Sequence, residues 1–390
     1  MKIGLVGHKL IIDEPAGVEK YIYQIFNGLA SIDKQNNYTV YFTKEPKKDY
    51  WEKLSNGNKN FKYKVVKNFK GPFKSWVQLS LALELYVNPR DVVFYPSDTI
   101  SGLLNILSPK KFNAVCMLHD LGYKETNEYK NPVIKWLHHY TIEFMLKNSR
   151  KLIVPSNDVK AKILKIYPTL KKKIENKITV IPEGLNDNFI NSDKITLKQR
   201  KDIREKFKLD GHQYLYFIST IQPRKNIPLM IEAFSEVIKE NPNYKDVLLI
   251  LSGKFGWFYE EAVNAPEKFG IKNNVKFLQR TSDEDAAILM KEATSFISCS
   301  LEEGFGLPVL EAMACEKPLI ISNIPVYKEL VGENAIYVNP KNKDSIKAGI
   351  LEILCDTNQD ERIKAAKELS KEFTWEKTAE KTLSVLKSAA

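Results

Sequence analysis

Two carboxylates, two glycines and a pair of cations are the residues of this chain best placed to do chemistry. The stretch from Ser298 to Glu311 reads S-C-S-L-E-E-G-F-G-L-P-V-L-E and sets Glu303 and Glu311 eight residues apart around Gly304 and Gly306. Glycines let backbone come close to a ligand, and the N–H groups at a helix start favour an anion such as a phosphate. A carboxylate in the loop and another on the following helix would hold hydroxyl groups beside that phosphate, which suits a nucleotide-sugar. Some eighty residues earlier, T-I-Q-P-R-K-N carries Arg224 and Lys225, two cations able to neutralise a diphosphate, the arginine bidentately. Taken singly, each feature also has a plain reading: acids are common at helix starts, and a basic pair in a loop is often just solvated.

The elements that must position these residues follow from apolar spacing. Thr294 to Cys299 is an apolar run that enters the glycine turn, and Leu307, Val309, Leu310, Ala312 and Met313 then recur at helical spacing, with Pro308 suited to a first turn. The expected order is strand, loop, helix, with Glu303 in the loop and Glu311 on the first helical turn. Tyr214 to Ser219 is likewise a buried strand leading through Arg224 and Lys225 to a helix bearing Leu229, Met230, Ala233 and Phe234. Other strands are expected at the N-terminal K-I-G-L-V-G and over 38–42, 61–66, 91–95, 114–118, 150–154, 178–181, 247–253, 275–278 and 318–322. Helices are expected from Gly17, over 73–87, from Ser156, from Ser282 and after Phe373. Strands alternating with helices in both halves argue two doubly wound α/β domains, whose ligands bind beyond the carboxyl ends of the strands. His119 and Asp120 end one such strand. Asp283-Glu284-Asp285 has a D-x-D form, but the cap at Ser282 explains it better than a metal does.

The strings P-R-K-N and E-E-G-F-G-L-P-V-L-E resemble those of the retaining glycosyltransferases of family 4, and the resemblance extends over nearly the whole chain. It implies a GT-B fold of two Rossmann-like domains facing a central cleft. On this resemblance residues 1–187 form an acceptor-binding domain, 188–210 a polar linker and 211–375 a nucleotide-sugar-binding domain, while the helix 376–390 packs back on the first domain. It implies that Arg224 and Lys225 grip the donor diphosphate, that Glu303 contacts the donor sugar, and that Glu311 holds the ribose. Backbone around Gly304, Phe305, Gly306 and Leu307 would face the donor, as would Gly17 in the first glycine loop. The loop after Leu278 would hold the nucleobase. His119 takes a catalytic, sugar-facing role and Asp120 an acceptor-side one. The implied activity is metal-independent retaining transfer of a hexose or deoxyhexose from a GDP- or UDP-linked donor, with no cofactor. Its implied acceptor is a glycan or lipid-linked sugar in cell-surface polysaccharide assembly.

Composition bounds the alternatives. A chain of 390 residues, 43% hydrophobic and 27% charged, suits two globular domains. No segment approaches 18 uninterrupted apolar residues and the N-terminus lacks a signal-peptide core, so a cytoplasmic protein is expected. Four cysteines without C-x-x-C spacing point to free thiols. Residues 1–190 hold 30 Lys and Arg against 18 Asp and Glu, whereas 191–390 hold 29 against 30, so the whole excess of the +11 net charge is N-terminal. Such a half suits an anionic membrane surface, with Phe73, Trp76, Lys67, Lys70 and Lys74 as candidate interfacial anchors, and hence a peripheral position at the inner face of the plasma membrane. A nucleic-acid-binding protein also fits the basic half but gives Glu303, Glu311, Arg224 and Lys225 no task. A nicotinamide-dependent oxidoreductase fits the α/β pattern but lacks G-x-G-x-x-G.

Overall fold

A computed structural model describes residues 1–11, 17–68, 76–97, 100, 113–121, 132–355 and 359–390, the segment 132–138 by its backbone only. Among the described residues thirteen strands fall into two sheets. The first contains β1 (Lys2–Val6), β2 (Asn37–Phe42), β3 (Phe61–Val65), β4 (Val92–Tyr95), β5 (Ala114–Met117), β6 (Lys151–Val154) and β7 (Ile178–Val180). Its order is β3-β2-β1-β4-β5-β6-β7, with every pairing parallel. The second contains β8 (Tyr214–Ile218), β9 (Leu248–Ser252), β10 (Val275–Gln279), β11 (Ser295–Ser298), β12 (Leu319–Ser322) and β13 (Ile336–Val338). These are also all parallel, in the order β10-β9-β8-β11-β12-β13. Each order reverses once, between β1 and β4 and between β8 and β11. A crevice opens at such a point because successive connections leave on opposite faces of the sheet.

Alternation within the strands shows why the sheets are covered on both sides. In β8, Tyr214 and Tyr216 join one apolar cluster with Ile250, Phe296 and Ile321, while Leu215 and Phe217 join another with Leu249, Leu251 and Ile320. Strands buried on both faces read as continuous apolar runs, which is why they stand out in the sequence. The first sheet packs Ile3, Leu5, Val40, Phe94 and Ile153 against Tyr21, Ile22, Ile25, Phe26 and Leu29 of the helix Gly17–Ile32.

The chain divides into two compact units, the first holding 1–121, 129–184 and 374–390, the second 122–128 and 185–373. The segment read as a linker, 188–210, is instead packed into the second unit. It forms the helices Asp187–Ile190 and Leu197–Phe207 and buries Phe189, Ile203 and Leu209. A capping box between Thr196 and Gln199 starts the longer helix, and Asp193 binds Lys291 and Lys367. With Ile195 and Phe207 packed beside these three, five apolar side chains anchor a segment that is otherwise largely polar and charged. The last helix, Trp375–Ala389, is capped by Thr374 and lies on the helix Gly17–Ile32, adding Val385, Leu386 and Ala389 to the first unit's core. Gly28 permits that approach, since a Cβ there would stand 2.8 Å from the Cβ of Ala379.

Trp76 does not face a lipid surface. It is buried and its indole N–H donates to the Val66 carbonyl at 2.6 Å, while Phe73, Lys70 and Lys74 lie outside the described residues. Among the described residues no helix is long and apolar enough to cross a membrane. Cys116, Cys299 and Cys315 are buried and Cys355 is exposed, all as free thiols. His139 stacks on Tyr167 and shares a hydrogen bond with its hydroxyl.

Candidate active site

A buried cluster of charge lies in the second unit, beyond β8 and β11, the two strands that flank the reversal of its sheet. Beyond β8 the chain turns through the 3-10 segment Pro223–Lys225 and passes Asn226 at φ 56° into the helix Ile227–Glu240. The Asn226 amide ties this turn to the Pro340 carbonyl at 2.6 Å. Beyond β11 the loop 299–306 runs to the helix Leu307–Ala314. The two loops are stitched together by the Leu301 N–H, which donates to the Arg224 carbonyl at 2.8 Å.

Across that seam Arg224 Nη1 donates to Glu303 Oε2 at 2.8 Å and to the Glu302 carbonyl at 3.1 Å, and Lys225 Nζ donates to Glu303 Oε1 at 2.5 Å. Glu303 and Lys225 are 8% and 4% exposed, so each charge depends on its partner. Burial alone would raise the Glu303 pKa. The ammonium and guanidinium, followed by hydrogen bonds from Lys225 and Ser300, outweigh it and hold the carboxyl at about 2. The site is thus a carboxylate held ionised between two cations.

Two residues outside the motifs complete it. Gln222, with its amide oxygen turned to the guanidinium, accepts from Arg224 Nε at 2.6 Å and Nη2 at 3.2 Å. Tyr327, from the helix Pro325–Val331, shares a hydrogen bond with Ser298 at 2.9 Å and donates to Glu303 Oε1 at 3.4 Å. Its phenol is pushed well above the usual value by burial and then by Glu303, so it stays a neutral donor. Gln222 adjoins P-R-K-N and is visible only as a polar residue beside a motif. Tyr327 lies beyond the next strand and left no sequence signal.

Gly306 caps the helix at φ 103°, and a Cβ there would stand 2.8 Å from the Tyr327 ring. Backbone conformation and close approach both require glycine. Phe305 is buried against Phe373 and Leu307 packs on the same core, so any donor contact from these positions is through backbone. With the helix beginning at Leu307, Glu311 stands just past the first turn, one residue deeper than its sequence placement. It lies near enough to Tyr216 to help burial raise that phenol, close to Ser252 and Thr281. Leu278 sits at a register shift in β10, after which Gln279 takes φ 50° and its carbonyl accepts from Gly253. That bulge sends the following loop off the strand end. The D-x-D acids are engaged locally, Asp285 with Lys206 at 2.6 Å and Asp283 with the Asn186 amide at 3.2 Å.

The remaining candidates belong to the first unit. Gly17 opens its helix with nothing within 4 Å of a would-be Cβ, so no contact among the described residues demands glycine there. His119 and Asp120 follow β5, and His119 is bound on both sides, by the Pro96 carbonyl at 2.9 Å and Glu183 at 3.5 Å.

Residues 15–189 match the model for glycosyltransferase family 4, and residues 199–369 that for the glycosyl transferases of group 1. The chain belongs to these family 4, group 1 glycosyltransferases. This glycosyltransferase is 34% identical over 187 residues to O-antigen chain mannosyltransferase B of Escherichia coli, 47% of this chain and 48% of that protein. It is 29% identical over 216 residues to O-antigen chain mannosyltransferase RfbU of Salmonella typhimurium, 55% and 54% of the two chains. The chain therefore spans about half the length of the curated relatives it matches. Over 100% of both chains it is similar to Anabaena HepE, solved with UDP and glucose, at TM-score 0.75 and 20% identity. Over 98% of this chain and 99% of the other it is similar to WaaG, a glycosyltransferase involved in lipopolysaccharide biosynthesis, at 0.73 and 16%. These likenesses show the fold, which is GT-B.

Proposed function

We propose that the protein is a metal-independent, retaining hexosyltransferase that uses a GDP- or UDP-linked sugar and extends a glycan or lipid-linked acceptor in cell-surface polysaccharide assembly. The observation that carries this reading is the Arg224–Lys225–Glu303 cluster at the reversal of the second sheet, where two cations share one carboxylate and leave a net positive charge at the strand ends. In the reaction the bond from the sugar C1 to the diphosphate oxygen breaks, and Arg224 and Lys225 stabilise the charge that collects on the diphosphate. The acceptor hydroxyl oxygen bonds to C1 on the same face, and its proton passes to the departing phosphate oxygen. Glu303 orients the sugar, Glu311 the ribose, and the loop beyond Leu278 the base. The mannosyltransferase names of the relatives support mannose, and hence GDP-mannose, as the first donor to try. A cytoplasmic setting at the inner membrane face fits the excess of basic residues in the first 190.

The test is the thermal midpoint with GDP, UDP, dTDP and ADP in turn, beside Glu311→Ala. A ligand that binds only the folded protein adds roughly 2.7 kcal/mol at a hundredfold excess over its Kd. One nucleotide should raise the midpoint in the wild type and not in the variant. No shift with any of them would remove the donor site from this reading.

A further inference from the structure

Arg224 is engaged at both of its hydrogen-bonding forks. Nη1 donates to Glu303 Oε2 at 2.8 Å and to the Glu302 carbonyl at 3.1 Å, which occupies both of its hydrogens. The other edge is closed by Gln222, whose amide oxygen accepts from Nε at 2.6 Å and from Nη2 at 3.2 Å. Lys225 Nζ donates to Glu303 Oε1 at 2.5 Å. A phosphate grips a guanidinium best through two parallel N–H groups. Here it meets neither fork whole, since one is held by an amide and the other by a carboxylate.

Charge decides which partner yields. A diphosphate that displaced Gln222 would lie beside the Glu303 carboxylate, like charge against like, whereas one that displaced Glu303 would replace an anion by an anion of greater charge. The carboxylate has other donors to turn to. Tyr327 already donates to Oε1 at 3.4 Å, and a hydrogen bond from Ser300 joins the two cations in keeping Glu303 ionised. These hydroxyls are fixed in place: Ser298 Oγ shares hydrogen bonds with Tyr327 at 2.9 Å and with Ser300 at 3.3 Å, and all three residues are buried. The loops stay joined when the side chains part, because the bond from the Leu301 N–H to the Arg224 carbonyl belongs to the backbone.

We propose that Glu303 competes with the donor diphosphate for Arg224 and Lys225, so that donor binding is an exchange. Phosphate oxygens take the place of the carboxylate on Nη1 and Nζ, and Glu303 turns onto the hydroxyls of Tyr327 and Ser300. That the anion is a donor diphosphate rests on the glycosyl-transfer reading; that a carboxylate must give way before an anion binds does not. The exchange also orders events, since the oxygens of Glu303 reach the sugar hydroxyls only once the diphosphate has taken the cations.

The test is calorimetric binding of inorganic pyrophosphate, and then of GDP and UDP, to the full chain. Glu303→Gln should bind pyrophosphate roughly tenfold more tightly than the wild type, through loss of a charged competitor. Glu303→Asp separates competition from the field of the charge: it keeps the carboxylate but is a methylene too short to span both cations, and should tighten binding about threefold. Unchanged or weaker binding in Glu303→Gln overturns the proposal, as does tightening in Gln with none in Asp, or no binding to any of the three proteins. If either variant fails to unfold cooperatively in urea, a structure of the wild type with pyrophosphate decides. A phosphate oxygen on Arg224 Nη1, with Glu303 parted from it, supports the exchange, and an intact Arg224–Glu303 pair beside bound pyrophosphate overturns it. Tighter pyrophosphate binding in both variants with no response to GDP or UDP sinks the glycosyl-transfer reading alone.

Discussion

Beyond β8 and β11 of the second unit, a carboxylate 78 residues from its cation is enclosed by Lys225 and Arg224, with both loops bonded to each other through backbone. Beyond β4, β5 and β7 of the first unit, one carboxylate meets one imidazole at 3.5 Å, and the other ring nitrogen is held by a carbonyl. Both sites bury a carboxylate at strand ends, but only the first surrounds it with permanent charge. A guanidinium and an ammonium stay charged at any physiological pH, whereas an imidazole does so only under local control. The second unit is therefore built to hold a fixed field, and the first to hold a ring in one orientation.

The largest effect should come from removing the central charge. Glu303→Ala takes from Lys225 and Arg224 the carboxylate that both bind and should cost about 3–5 kcal/mol in urea unfolding. Equal stability would mean that the cations are satisfied without it and would dissolve the contrast. Acid offers the same test without mutation. The Glu303 pKa is lowered in the folded chain from 4.5 to about 2, so its stabilisation is complete above pH 4.5 and is lost as pH falls toward 2. At 1.36 kcal/mol per unit that is roughly 3 kcal/mol. Glu303→Gln should flatten this part of the acid-unfolding profile. Gly306→Ala should follow, at about 1–3 kcal/mol, because the new methyl must push back Tyr327 from a left-handed backbone. Gln222→Ala should lower kcat/KM roughly tenfold with little loss of thermal midpoint, by removing the amide oxygen that orients the Nε edge of the guanidinium while Glu303 still binds Nη1. His119→Gln should be the mildest for stability, about 1 kcal/mol, since the new amide can still donate to Pro96. A loss as large as that of Glu303→Ala would show that the first site is as tightly charged as the second.

The same contrast governs how much could be read beforehand. The cations and the carboxylate of the second unit lie in compact strings, because a tight turn and a helix start place their residues at short fixed offsets. In the first unit Tyr21, Pro96, His119 and Glu183 come together only through the folding of the sheet, and no spacing in the sequence links the four. Most strands announced themselves because both sheet faces are covered. The strand β13 went unread: it is three residues long and partly exposed at Tyr337, and it lacks the continuous apolar run of the longer strands. The segment 188–210 misled because charged residues outnumber the scattered apolar anchors that seat it. Trp76 could be read as a core residue or as an interfacial anchor, because an aromatic beside lysines looks the same whether its indole meets a headgroup or a backbone carbonyl, and its burial favours the core.

The last helix has a consequence for how the protein is made. The first unit's N-terminal segments leave the ribosome before the helix Trp375–Ala389, which covers one side of the helix Gly17–Ile32. The order of synthesis and the order of completion are opposed: the second unit can close while the first still shows the apolar seat of Val385 and Leu386. During translation the N-terminal half is the one that needs shelter, and a lesion in the last helix would be felt as misfolding of the first.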